Sequence, residues 1–176
     1  MRFEQRGAPV GSEEVVDFTV VEGEYLRSRF LSDFEWTRFD SPTDPVPLLK
    51  PVSEARVALV TTSGAYLPAS QQPFDVRNPL GGDSFRVVPG DVAPEDIRLA
   101  HPGYDTRRAA QDLDCVFPLG ALRDLQSRGL LGRVAPRHLS FMGYIPRTDH
   151  LLAETAPEAA RILAEDEVDL AILVPS

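Results

Sequence analysis

Three short stretches of this chain carry side chains that could do chemistry. His101 and Asp105 lie four residues apart around a Pro102-Gly103 turn, with Tyr104 between them. A carboxylate beside an imidazole fixes its tautomer and raises its pKa toward neutrality or above, so the pair suits general acid or base work. The competing reading is local: Asp105 caps a helix beginning at Thr106, and His101 is merely hydrogen-bonded nearby. Thr61, Thr62, Ser63 and Gly64 offer hydroxyls and a flexible glycine directly after an apolar run. Ser140, Phe141, Met142 and Gly143 form the third stretch, either a pocket lining through the bare glycine backbone or plain packing. Cys115 reads as an inert small hydrophobe inside or beside a buried strand, and His150 as a solvated imidazole in a polar loop. The three histidines have no H-x-x-x-H spacing and there is one cysteine, so neither a zinc site nor a disulfide framework is expected.

The elements that must position these residues follow from apolar periodicity. Residues 56–62 are too uniformly apolar for a one-sided sheet and predict a central parallel strand covered on both faces. An open α/β sheet binds ligands just beyond the carboxyl ends of its strands, which is why Thr61, Thr62, Ser63 and Gly64 are site candidates. No G-x-G-x-x-G or G-x-x-x-x-G-K-[ST] follows, so a nucleotide would lack its phosphate cradle. Residues 66–83 read as a long loop, of a length that tends to be functional or mobile. Residues 83–88 alternate Phe85 and Val87 with Ser84 and Arg86 and predict a strand ended by Pro89-Gly90; residues 97–100 predict a second.

Residues 114–118 read as a strand end turning into a helix, with Pro118 in its first turn, Leu119, Leu122 and Leu125 on its apolar face, and Gly129 as its left-handed stop. Residues 137–144 read as another strand. Thr155, Ala156, Pro157 and Glu158 look like a capping box, followed by a stripe of Ala156, Ala159, Ala160, Leu163 and Ala164. The run 168–176 predicts a buried parallel strand. Alternating strands and helices give the expected fold: α/β, an open, mostly parallel sheet with helices on both faces, Rossmann-like, and incomplete at its carboxyl end.

Residues 1–50 differ from the rest and read as an acidic, aromatic arm ending in a proline-rich linker over 40–47; the domain proper is expected over 51–176. Tyr25, Leu26, Phe30 and Phe34 follow helical spacing and predict an amphipathic helix over 23–34. Its aromatics are read as packing the arm onto the domain or a neighbouring subunit, over an aromatic binding box. The formal charge of -9 among 176 residues argues against nucleic acid as a partner. No apolar run approaches a membrane span and no leader is recognisable at the start. A cytoplasmic protein in a reducing compartment is expected.

Several motifs occur together in an order that resembles a known family. They are residues 55–67 (Ala-Arg-Val-Ala-Leu-Val-Thr-Thr-Ser-Gly-Ala-Tyr-Leu), Pro73-Phe74-Asp75, residues 82–86 with Pro89, residues 101–105, residues 114–118 and residues 140–143. The chain from about Pro51 to Ser176 resembles the selenoprotein B subunits of the glycine/sarcosine/betaine and D-proline reductases, and most the D-proline branch. The resemblance implies reductive cleavage of a C–N bond in an amino acid or related amine. It also implies a selenocysteine or cysteine just beyond Ser176, a pyruvoyl group on a partner subunit, and a homo- or hetero-oligomer. No cofactor is expected in this chain itself, and none of its residues is assigned a catalytic role. Thr61, Thr62, Ser63, Gly64, His101, Tyr104 and Asp105 are expected to line the crevice for substrate or partner. Three explanations stay open for a chain whose last residue precedes the redox position: a UGA codon read as a stop, a domain that has lost its chemistry and serves binding or assembly, and a cut from a longer precursor.

Overall fold

A computed structural model describes residues 17–41, 43–44 and 46–176, which fall into two compact units, one ending at Trp36 and the other beginning at Thr37. Residues 1–16, and Pro42 and Pro45 of the expected linker, lie outside the described residues. In the first unit, α1 (Phe18–Arg29) starts earlier than the aromatic spacing predicts and stops before Phe30 and Phe34. Asp17 sets its start, accepting the Thr19 N–H at 2.9 Å. Leu26 and Phe34 are buried whereas Tyr25 and Phe30 are exposed, so the four do not form one stripe. The Trp36 indole N–H donates to the Thr19 carbonyl at 2.7 Å and ties the returning segment to the helix.

The second unit contains, in chain order, β1 (Arg56–Thr61), β2 (Ala65–Tyr66), β3 (Phe85–Pro89), β4 (Arg98–Leu99), α2 (Thr106–Ala109), α3 (Leu119–Ser127), β5 (Arg133–Val134), β6 (Arg137–Phe141), α4 (Ala156–Glu165) and β7 (Leu170–Val174). β1 is the hub. On one edge it pairs in parallel with β7, from Val57 opposite Leu170 to Thr61 opposite Val174. On the other it pairs in parallel first with β5 and then with β6. Those two strands fork at Ala135-Pro136, where proline has no N–H to donate. β3 pairs antiparallel with β6, and β2 with β4 form a separate antiparallel pair. The α/β class is as expected, and the sheet is mixed and curled.

Alternation along β1 divides the core. Val57 and Leu59 join Phe117 and the α3 residues Leu119 and Leu122 on one face. Val60 faces Leu139, Phe141 and the α4 residues Ala159 and Ile162 on the other. Each such buried side chain contributes roughly 2 kcal/mol. The two helices therefore cover opposite faces.

Four local expectations change. β7 is an edge strand, not a buried one: Leu173 is 72% exposed and Ile172 36%. Residues 113–115 form a single 3-10 turn instead of a strand end, leaving Cys115 exposed. Pro118 stands just before α3, and the Asp114 carboxylate accepts the Gly120 N–H at 2.8 Å; Gly129, with φ +70, stops the helix as expected. Thr155 caps nothing, because it closes a π-helical turn, Leu151–Thr155, that runs straight into α4. The buried stripe is then Thr155, Ala159 and Ile162, with Ala160 and Ala164 exposed.

Candidate functional site

The carboxyl ends of β1, β6 and β7 meet at a group of hydroxyls and bare backbone. Thr61, Ser63 and Ser140 are fully buried. Thr61 Oγ1 lies 2.7 Å from Ser63 Oγ, which is 3.4 Å from Ser140 Oγ. Ser140 Oγ accepts the Ala65 N–H at 2.7 Å, fixing the start of β2. These groups satisfy one another, as buried hydroxyls must. No charged side chain hydrogen-bonds to them among the described residues.

Two walls rise from this floor. On one side the Tyr104 hydroxyl donates to the Ser63 carbonyl at 2.6 Å. The His101 ring is tilted 33° to that of Tyr104, with 4.4 Å between centroids. Gly64 allows the approach of this wall: its φ is +68, and a Cβ there would stand 2.1 Å from the Ala100 carbonyl oxygen. On the other side Thr62 accepts the Ser176 N–H on Oγ1 at 2.8 Å while its own N–H donates to the Val174 carbonyl at 3.0 Å. Residue 176 is thus held at the carboxyl end of β1, and Gly143 lies against the Thr62 side chain.

The His101–Asp105 partnership that the spacing allows is not made. His101 Nδ1 accepts the Gly103 N–H at 2.9 Å, and burial pushes its pKa below the ordinary value. The ring accordingly serves as a neutral acceptor instead of an imidazolium. Asp105 instead caps α2, accepting the Arg107 N–H at 3.0 Å. That bond, with help from the Arg107 side chain, holds its carboxyl below the usual carboxylate range against opposition from desolvation. The local reading of Asp105 holds, and its carboxylate points to Arg107. Tyr104 is pushed up to about 12, first by burial and then by the repulsion between its phenolate and a Cys115 thiolate, so it stays a protonated donor.

Of the seven candidates, Ser63, Gly64, His101 and Tyr104 come together, Thr61 supports them from beneath, Thr62 faces Ser176, and Asp105 turns away. Cys115, set aside in the sequence as buried, lies exposed within electrostatic range of Tyr104. Its Asp-rich surroundings, Asp112 and Asp114, were the signal that the segment is a turn. Among the described residues no group of His, Cys, Asp and Glu could hold a metal ion, and no helix is long and apolar enough to cross a membrane.

Comparison with known proteins adds to this geometry. The chain is 36% identical over 158 residues to the D-proline reductase subunit gamma of Acetoanaerobium sticklandii, covering 89% of this chain and 60% of that relative. It is 27% identical over 136 residues to the glycine reductase complex component B subunit gamma of Carboxydothermus hydrogenoformans, covering 76% of this chain and 30% of the relative. The sarcosine reductase complex component B subunit beta of Peptoclostridium acidaminophilum is 29% identical over 144 residues, again 76% of this chain and 30% of the relative. The chain therefore spans 60% or less of the length of these relatives. No solved structure matches it. The family model for glycine/sarcosine/betaine reductase selenoprotein B matches residues 2–176, and the chain belongs to that family.

Proposed function

We propose that this chain is part of a reductase-complex subunit that reductively cleaves the C–N bond of an amino acid or related amine, of the glycine, sarcosine, betaine or D-proline type. The observation that carries this reading is at the carboxyl end of β1, where Thr62 holds residue 176 and the next residues, Ser63 and Gly64, are packed by Tyr104 and Ala100. The relatives named above are subunits of D-proline, glycine and sarcosine reductases. A selenol or thiol beyond Ser176 would supply the nucleophile for the substrate carbon alpha to the carboxylate, and a pyruvoyl group on a partner subunit would activate the amine nitrogen that leaves. The residues present fit such groups: the buried hydroxyls are satisfied by one another and by backbone, His101 is a neutral imidazole, and Asp105 is turned to Arg107.

This chain's own part is positioning. Thr62 orients the backbone at residue 176, Tyr104 fixes the Ser63 peptide, and the buried hydroxyls below exclude water. In this reading residues 51–176 form the Rossmann-like reductase domain and residues 1–50 an arm that serves assembly into a homo- or hetero-oligomer. The complex, purified from its source with its partner subunits and supplied with a dithiol, should release an amine, or open the proline ring, from one of the four substrate types. Absence of C–N cleavage across all four refutes the reading. The rival reading is a non-catalytic binding or assembly domain of the same fold. Under it the subunit joins the complex but its removal leaves turnover intact.

A further inference from the structure

Because β3 runs antiparallel to β6, with Phe85 opposite Phe141, residue 83 stands at the same end of the sheet as the crevice. Two loops meet there, residues 67–84 and residues 142–148, the second running into a helical turn that holds Asp149 and His150. Their backbones touch: the Gly82 N–H donates to the Tyr144 carbonyl at 3.1 Å, and the Tyr144 hydroxyl donates to the Pro79 carbonyl at 3.1 Å. Beside this contact His150 Nδ1 lies 2.6 Å from Asp83 Oδ2. Thr155 Oγ1 donates to the same oxygen at 3.1 Å, and Glu154 Oε2 approaches His150 Nε2 at 3.5 Å. His150, expected to be merely solvated, has a carboxylate at each ring nitrogen.

We propose that Asp83 and His150 are a positioning pair: as carboxylate and imidazolium they clasp loop 67–84 to the helical turn that ends loop 142–148, beside the carboxyl ends of β1 and β6, and the clasp loosens when the imidazolium loses its proton. The hydrogen bond to Asp83, its charge and that of Glu154 raise the pKa of His150 above its ordinary value. Burial pushes Asp83 up, but its hydrogen bonds from His150 and Thr155 outweigh this and hold it low. Once neutral, His150 still donates from Nδ1. Charge assistance is then lost, however, and the Nε2 lone pair faces the Glu154 carboxylate.

The other end of the same loop supplies an internal control. Arg86, always charged, donates to the Gln72 carbonyl at 2.9 Å and lies 4.3 Å over the Phe74 ring. The Gln71 amide donates to the Val87 carbonyl at 2.7 Å. These anchors do not titrate, so only the part of the loop near Asp83 should respond. The bearing of the clasp on catalysis rests on the function proposed above; the clasp itself does not.

The test is amide hydrogen exchange, corrected for its intrinsic pH dependence, from about pH 5 to about pH 9, with the His150 imidazole titrated by NMR in the same samples. Protection of the Gly82 amide should fall several-fold as His150 deprotonates, with residues 71–74 unchanged. His150→Gln should give the lower protection at every pH. Asp83→Asn should return the imidazole titration toward its ordinary value. A wild-type profile without a step, a step that persists in His150→Gln, or an imidazole titration indifferent to Asp83→Asn overturns the proposal. The wild-type series decides even if a variant misfolds. No substrate is involved, so a failed C–N cleavage assay leaves this result untouched.

Discussion

The two ends of β1 are built from different chemistry. At its amino end the chain is laced with charge. Asp169 accepts the Arg56 N–H at 2.8 Å and meets Lys50 at 2.9 Å, while Arg137 meets Asp166 at 2.7 Å and Glu165 at 3.2 Å. At its carboxyl end Thr61, Ser63 and Ser140 share neutral hydrogen bonds, and Tyr104 adds one more. Ion pairs open to water, such as Lys50–Asp169, contribute little each but tolerate solvent, and the part-buried, two-pronged Arg137–Asp166 pair closes the end more firmly. A neutral end whose hydroxyls are already satisfied depends instead on the geometry of directional bonds. The contrast predicts that the carboxyl end is geometrically unforgiving and the amino end permissive.

The sharpest way to break that contrast is Gly64→Ala. The added Cβ would meet the Ala100 carbonyl oxygen at 2.1 Å with φ held at +68. Backbone strain and overlap together should cost roughly 3 kcal/mol and push the His101–Tyr104 wall off Ser63. Gly129→Ala shares the positive φ, +70, but has nothing within 4 Å of the added atom, and should cost only about 1 kcal/mol. Urea unfolding of both variants measures the difference. Equal losses would mean that the close approach at Gly64 is soft.

Between the two ends lies His138, which fills the fork of β5 and β6. It is fully buried, and its Nδ1 accepts the Leu59 N–H at 2.9 Å, so the ring must be neutral with its proton on Nε2, which has no partner. Burial, aided by the nearby Arg123 charge and opposed by Asp166, lowers its pKa to about 4. In the unfolded chain the same ring titrates near 6.5. As pH falls below about 6.5 the unfolded state binds the proton first, so stability is complete above that value and is lost progressively down to about 4. The loss should approach about 3 kcal/mol. Unfolding free energies measured across this window should slope in wild type and flatten in His138→Gln. A flat wild-type profile would show that the folded imidazole titrates normally.

How far these features were legible in the sequence follows the range of the interactions involved. β1, β6 and β7 are announced by their own apolar residues, and α3 by the spacing of Leu119, Leu122 and Leu125 with Gly129 as its stop. The edge position of β7 is not legible, since an uncovered flank depends on a neighbouring strand and leaves no mark on Leu170 to Val174. His101 and Asp105 were paired by spacing alone. Around a Pro-Gly turn that spacing does not aim the side chains, and the nearer Arg107 N–H captured the carboxylate. Asp83 and His150 are 67 residues apart, and no local pattern connects them. The place of Thr62 at a strand end is legible from the apolar run before it, whereas its bond to Ser176 depends on the register of β7.

The smallest expected effect sharpens the comparison at the amino end. Asp169 does two jobs there: its Oδ2 accepts the Arg56 N–H, and its charge faces Lys50, whose side chain is 42% exposed. Asp169→Asn removes the charge and keeps an acceptor for the backbone, so it should match Lys50→Met, a slight loss that vanishes at high salt because screened surface pairs contribute little. Asp169→Ala should lose more and keep its loss in salt, since the Arg56 N–H at the entrance to β1 is left without its partner. Urea midpoints of the three variants at low and high salt separate the two jobs. If all three lose equally and salt erases every difference, the amino end is held by charge alone and Asp169 is no backbone cap; if Asp169→Ala stands apart, even this permissive end depends on one neutral, directional bond of the kind that fills the other.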